Sequence, residues 1–323
     1  MNHICASESS NFNGLWSACA QNARHMRRAH AASRGPDLHV LYWQDRYDTT
    51  TEEAAVSGPK HAESSRTGRL YSHPVTGETA VSVTTVLGDG IPKKALPGWA
   101  ARTAAEYAVE NINDLAALVA NGGVSTKEAI DRIKGAPWRQ RDNKADIGTA
   151  VHDVAELLAG TPAGAEYELD LADYDESIHG YLLSLLGWFE KHQPIVEATE
   201  ATVWSREHGY AGTLDLICKL PGRHEDGGFM LLDFKTSKGV YGETALQLAA
   251  YAHADFILLD DGSEHDLPGP IVELGVIHIT PDGAPARLYP VEHDPAFFAM
   301  FLSAKTISGW TRDLSKTAIG KPI

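Results

Sequence analysis

The chain has 323 residues, 43 of them acidic and 28 basic, so it carries a formal net charge of −15, and 43% of it is hydrophobic. That length suits one large domain or two small ones; no apolar run approaches the roughly twenty residues of a membrane helix, and the polar, Arg/His-rich start does not read as a secretory signal. Scattered Cys5, Cys19 and Cys218 suit a reducing, cytoplasmic setting and argue against a disulfide scaffold or zinc finger, while the acidity taken alone argues against a nucleic-acid partner.

Residues 1–36 read as a flexible arm that is locally basic, with Arg24, Arg27, Arg28 and Arg34 against Glu8. Residues 48–68 are rich in Thr, Ser, Glu and Gly and read as a loop. A short strand entering a turn is expected over 69–77, and the β-branched run 81–87 predicts a second strand or a buried extended segment. An Ala-rich helix follows over 99–120, closed by Asn121-Gly122-Gly123. Ser125 with Glu128 forms a capping box for a short helix that ends at Gly135.

From about residue 142 the order of elements becomes informative. An amphipathic helix over 142–159 stops at Gly160, an acidic solvated loop spans 166–176, and a helix over 174–192 ends before Pro194. Strands are expected at 196–205, 209–220 and 229–235, the last two joined by a Pro/Gly-rich turn. A helix at 243–259, strands at 271–280 and 287–291, and a helix over 294–307 complete the core. The order is α-β-β-β-α-β: an α/β fold with a central mixed sheet flanked by helices and a mostly helical N-terminal extension. The divisions are an arm (1–36), a hairpin and helical region packing on the core (37–140), the core (141–310) and a tail (311–323).

The chemistry concentrates in Leu214-Asp215-Leu216-Ile217 and Leu231-Leu232-Asp233-Phe234-Lys235-Thr236. Alternation along a strand puts Asp233 and Lys235 on one face, and the hairpin can bring Asp215 beside them. Two carboxylates and an ammonium packed together without a role would cost desolvation energy. A divalent cation between the carboxylates accounts for them, polarising a phosphate and activating water, with Lys235 orienting that water or neutralising developing charge. His152 and Glu156 share a helix face at i, i+4, as do Gln247 and Tyr251. Glu200 lies on a strand that would neighbour Asp215, whereas Glu197 falls on the opposite face. Each of these has a plainer reading too: His152 as a core histidine, Glu156 as a solvated helix residue, Gln247 and Tyr251 as helix surface and core.

Gly148-Thr-Ala-Val-His152, Gly212-Thr-Leu-Asp215, Asp233-Phe-Lys235-Thr236 and Gln247-x-x-x-Tyr251, in that order, resemble the PD-(D/E)xK nuclease superfamily, and within it the RecB-like and Cas4-like exonucleases. The likeness spans residues 140–300. The Tyr…Thr-Gly hairpin, Ser82-Val-Thr-Thr-Val-Leu87 and a Trp99…Arg102 helix are also similar to phage exonucleases and the mitochondrial genome maintenance exonuclease. The resemblance implies one or two Mg²⁺ or Mn²⁺ ions held by His152, Asp215, Asp233 and the Phe234 carbonyl. It makes Lys235 the catalytic lysine, Glu200 a supporting acid or second-metal ligand, and Gln247 and Tyr251 residues that order the site and touch substrate. No cysteine follows Cys218, so no iron–sulfur cluster is expected, and no Walker A sequence is present, so no nucleotide.

The implied activity is hydrolysis of DNA from free ends, single-stranded or flap, in phage or bacterial replication, recombination or repair, alongside other replication or recombination proteins. The rivals are a structure-specific endonuclease of the same fold, a non-cleaving DNA-binding recombination protein, and a metal enzyme acting on something other than nucleic acid. Residues 127–144 carry six basic side chains, Arg139 and Arg141 among them, against three acidic ones, and Lys93, Lys94 and Arg102 lie upstream. With Thr236 and Lys238 after the catalytic strand, and Trp99, Trp138 and Tyr251 for base stacking, they are expected to line the DNA path.

Overall fold

Among the described residues ten strands form one mixed sheet, and its branching point positions the candidate site. The computed structural model describes residues 59–322 apart from 66–67, 121–125, 163 and 225–226. All of them belong to a single compact unit, residues 50–323. The arm 1–36, most of the 48–68 loop, Asn121-Gly122-Gly123 and Ser125 lie outside the described residues. Among those described, no helix is long and apolar enough to cross a membrane.

The strands are β1 (Ala62–Ser65), β2 (Gly68–Ser72), β3 (Thr79–Ser82), β4 (Ile195–Ser205), β5 (Tyr210–Lys219), β6 (Phe229–Lys235), β7 (Phe256–Leu258), β8 (Glu264–His265), β9 (Ile271–His278) and β10 (Arg287–Val291). The helices are α1 (Val83–Gly90), α2 (Ala95–Glu110), α3 (Ile112–Ala120), α4 (Thr126–Ala159), α5 (His179–His192), α6 (Glu243–Ala252) and α7 (Pro295–Arg312). One edge of β5 carries antiparallel β4. The other is shared, with β3 pairing in parallel at Tyr210–Ala211 and β6 antiparallel at Leu216–Cys218. Residues 212–215 lie between those two pairings. Beyond β6 come parallel β9 and then β10, while β7 and β8 extend the sheet from β4.

Both faces of β5 and β6 are buried, so their sequences are nearly continuous apolar runs. On one face Leu216, Leu232, Phe234 and Ile277 pack with Val151, Val154 and Leu158 of α4 and Leu182, Leu185 and Trp188 of α5. Their alternation partners Asp215, Ile217, Leu231 and Asp233 point to the other face, where α6 packs on β6 and β9 beside α7 and α1.

Several expectations are corrected. Residues 83–87 are helical: Ser82 Oγ caps the Thr84 N–H, and the buried Val83, Val86 and Leu87 follow helical rather than strand spacing. The two helices expected at 125–135 and 142–159 are one, α4, which runs through Gly135 and Pro137 because Ala136 and Pro137 are buried; the Arg139 guanidinium lies 5.0 Å over the Tyr107 ring of α2. The helix expected at 99–120 divides into α2 and α3 at Asn111. The helix expected to reach 259 ends at Ala252. Asp255 there takes the Arg206 N–H at 2.7 Å and the Glu207 N–H at 3.1 Å, and its own N–H donates to Trp204, so the chain re-enters the sheet as β7. β1 is a strand inside the expected loop, and two 3-10 turns, Leu171–Asp173 and Glu176–Ile178, interrupt the acidic stretch before α5 begins at His179.

Candidate metal centre

Register places three acids in a row across the sheet. Thr199↔Leu216 and Ala201↔Leu214 bracket Glu200 against Asp215, and the Leu216↔Leu232 pair sets Asp233 beside Asp215 at the mouth of the fork. Glu200 breaks the strand's regularity, with φ at +45°, in the left-handed region that costs a non-glycine residue on the order of 1 kcal/mol. Its carboxylate meets His152 of α4, whose Nδ1 lies 2.7 Å from Glu200 Oε1 and 3.9 Å from Asp215 Oδ1. The His152 ring is set edge-on to Phe234, with centroids 5.8 Å apart.

Asp215 is only 6% exposed, and its Oδ2 accepts the Phe234 N–H at 2.6 Å. Asp233, 1% exposed, is held by Lys235 Nζ, 2.8 Å from Oδ1 and 2.6 Å from Oδ2, and by Gln247 Nε2 of α6 at 2.8 Å. Gln247 also donates to the Tyr251 hydroxyl at 3.4 Å. The Tyr251 ring lies against Gly212, where an added Cβ would come within 2.5 Å of Tyr251 Cε1, so the glycine admits the ring. Beside it, the Tyr71 hydroxyl and Thr213 Oγ1 share a hydrogen bond at 2.9 Å.

The charges are tightly linked. Burial resists protonation of His152, but Asp215 and Glu200 outweigh it and pull the imidazole up to about 10. Burial pushes Asp233 up to about 6, with Lys235 opposing and Asp215 adding to the rise. Asp215 is likewise raised by burial, against the pull of His152. Lys235, despite burial, is held above its ordinary range by Asp233 and Asp215. Burial lifts Tyr251 well above the usual phenol range, so it stays a neutral hydroxyl.

His152, Glu200 and Asp215 each offer a ligand atom, all within 4.8 Å of one another. One imidazole nitrogen and two carboxylate oxygens fit a divalent cation, whose positive charge would take the place of the proton that the acids favour on His152. Asp233 lies next in the row, committed to Lys235 and Gln247, and at Phe234 it is the amide N–H that meets Asp215.

The remaining expected residues lie further out. Thr236 Oγ1 is near α4, 3.8 Å from where a Cβ on Gly148 would sit, and Lys238 is exposed beyond β6. Glu156 is half-buried one turn after His152. Arg139 and Arg141 precede His152 on α4 by about 20 Å and 16 Å of helix. Both are exposed and already bonded within the chain: Arg139 to the Arg132 carbonyl, Arg141 to Asp142. Sequence reasoning gave Tyr71 no site role and did not anticipate the strained Glu200 backbone; neither carries a spacing signal. No protein-family model matches the chain, and no curated protein matches its sequence.

Proposed function

We propose that the protein is a divalent-metal-dependent DNA exonuclease with a PD-(D/E)xK core, acting on free single-stranded or flap ends. The observation that carries this reading is the convergence of Glu200, Asp215 and Asp233 in one row at the sheet's fork, with His152 and Lys235 against them. Buried acids in a row are costly unless a cation or a reaction uses them.

In this reading His152, Glu200 and Asp215, with Asp233 adjoining, would hold the ion, which supplies charge neutralisation at the phosphodiester and activation of the attacking water. Asp233, itself held by Gln247, aims the Lys235 ammonium, which donates hydrogen bonds to the phosphate oxygens as negative charge builds in the transition state. Tyr251, kept neutral by burial, steadies Gln247. Phe234 N–H fixes the Asp215 carboxylate, leaving Oδ1 turned toward His152. The test is incubation of the full chain with internally labelled linear and circular single strands, with and without Mg²⁺ or Mn²⁺. Metal-dependent shortening of the linear strand alone is expected; cleavage of circles would make it an endonuclease, and intact DNA in every lane would refute the reading.

A further inference from the structure

One face of α4 leads straight to the metal centre. At about 100° per residue, Arg141, Ala145 and Gly148 fall within roughly 40° of His152, and so does Trp138, whereas Arg139 lies about 140° away. Trp138 is 54% exposed although its neighbours Ala136 and Pro137 are buried. The Arg141 guanidinium lies 5.0 Å over the indole, and Arg141 Nε and Nη2 hold Asp142 Oδ1 at 3.0 and 2.8 Å. Between this pair and His152 the face carries only Ala145, exposed, and Gly148, half-buried beside Thr236. A large apolar ring held in water is ordinarily a cost, and here it stands at the outer end of a strip bare of bulky side chains.

We propose that this strip is a shelf for an unpaired DNA strand, with the exposed Trp138 ring, the Arg141 guanidinium over it, continuing the strand's base stack about 21 Å of helix from His152. The inference rests on the nuclease reading and adds to it a residue that selects single strands. Paired bases keep their faces inside the duplex and cannot use the platform. Because Asp142 offsets the Arg141 charge, the contribution comes from stacking, and its loss leaves the salt dependence of binding unchanged.

The experiment compares wild type, Trp138→Ala and Trp138→Phe, as full chains with Mn²⁺, on three substrates: an oligothymidine single strand, a blunt duplex, and bis(p-nitrophenyl) phosphate, which reaches the metal centre without touching the shelf. Trp138→Ala is expected to raise KM for the single strand roughly 5- to 150-fold, the range a lost base stack gives. Its rates on the duplex and on bis(p-nitrophenyl) phosphate should match wild type, and Trp138→Phe should recover most of the single-strand affinity. An unchanged single-strand KM in Trp138→Ala would overturn the shelf, as would an equal loss on all three substrates. A wild type inert on every substrate refutes the nuclease reading itself, and the shelf falls with it; wild-type activity with an indifferent Trp138 refutes the shelf alone.

Discussion

Asp215 sits in the middle of the row: its Oδ2 takes the Phe234 N–H, its Oδ1 faces His152, and Asp233 lies beside it. Asp215→Asn keeps an acceptor for Phe234 N–H but removes the charge. It should therefore melt close to wild type by circular dichroism while losing calorimetric Mn²⁺ binding and cleavage; retained Mn²⁺ affinity would move the metal elsewhere. Lys235→Met keeps the aliphatic stem and removes the ammonium that Asp233 holds. A fall of about 10²–10³ in kcat, the usual cost of one transition-state donor, is expected in single-turnover assays, with DNA affinity largely kept. The acids and the lysine were legible in sequence because charged residues inside apolar strand runs have few structural uses. The bond partners were not. Glu200 rather than Asp233 joins His152 and Asp215, and does so from a left-handed backbone that no residue pattern announces.

At the scale of elements, close approach and capping decide what residue type alone leaves open. Gly212→Ala would drive a Cβ to 2.5 Å from the buried Tyr251 ring, so destabilisation of roughly 1–3 kcal/mol in urea unfolding is expected, together with lower activity as Tyr251 and Gln247 shift. Ser82→Ala removes the side-chain cap on α1 and should cost about 1 kcal/mol in the same assay, with the proposed nuclease activity unchanged. The same cap explains why a Val/Thr-rich run is a helix. β-Branched residues favour strands on average, but Val83, Val86 and Leu87 bury one helical stripe, and burial outweighs propensity. α4 makes the corresponding point for breakers: an interior proline costs about 3 kcal/mol, yet packing of Ala136 and Pro137 keeps the helix whole and so joins Trp138 to His152 in one rigid element.

Across the whole molecule, Arg206 ties distant parts of the sheet together, its guanidinium bonding Glu78 before β3 and Glu264 in β8 and lying 4.9 Å over Phe256. Hydrogen bonds from Arg206 hold both glutamates below their ordinary values. Lowered folded-state values mean that this stabilisation is present above the unfolded glutamate value of about 4.3 and is lost as pH falls through the depressed ones. Arg206→Met should thus lower the urea midpoint near neutral pH, and its difference from wild type should shrink in acid; a difference independent of pH would assign the loss to packing on Phe256. The net charge of −15 measures long-range repulsion and says little about a local path, for buried Asp215 and Asp233 face Lys235 and His152 rather than solvent.

The sequence by itself determined the central strands, their order and the acids embedded in them, because strands buried on both faces must be almost wholly apolar and every exception stands out. Tertiary structure alone decided that β5 is shared between β3 and β6, that the fork exposes residues 212–215 to helices from both faces, and that His152 and Gln247 arrive there from opposite sides. Those are long-range pairings, set by which surfaces bury one another, and no local spacing encodes them.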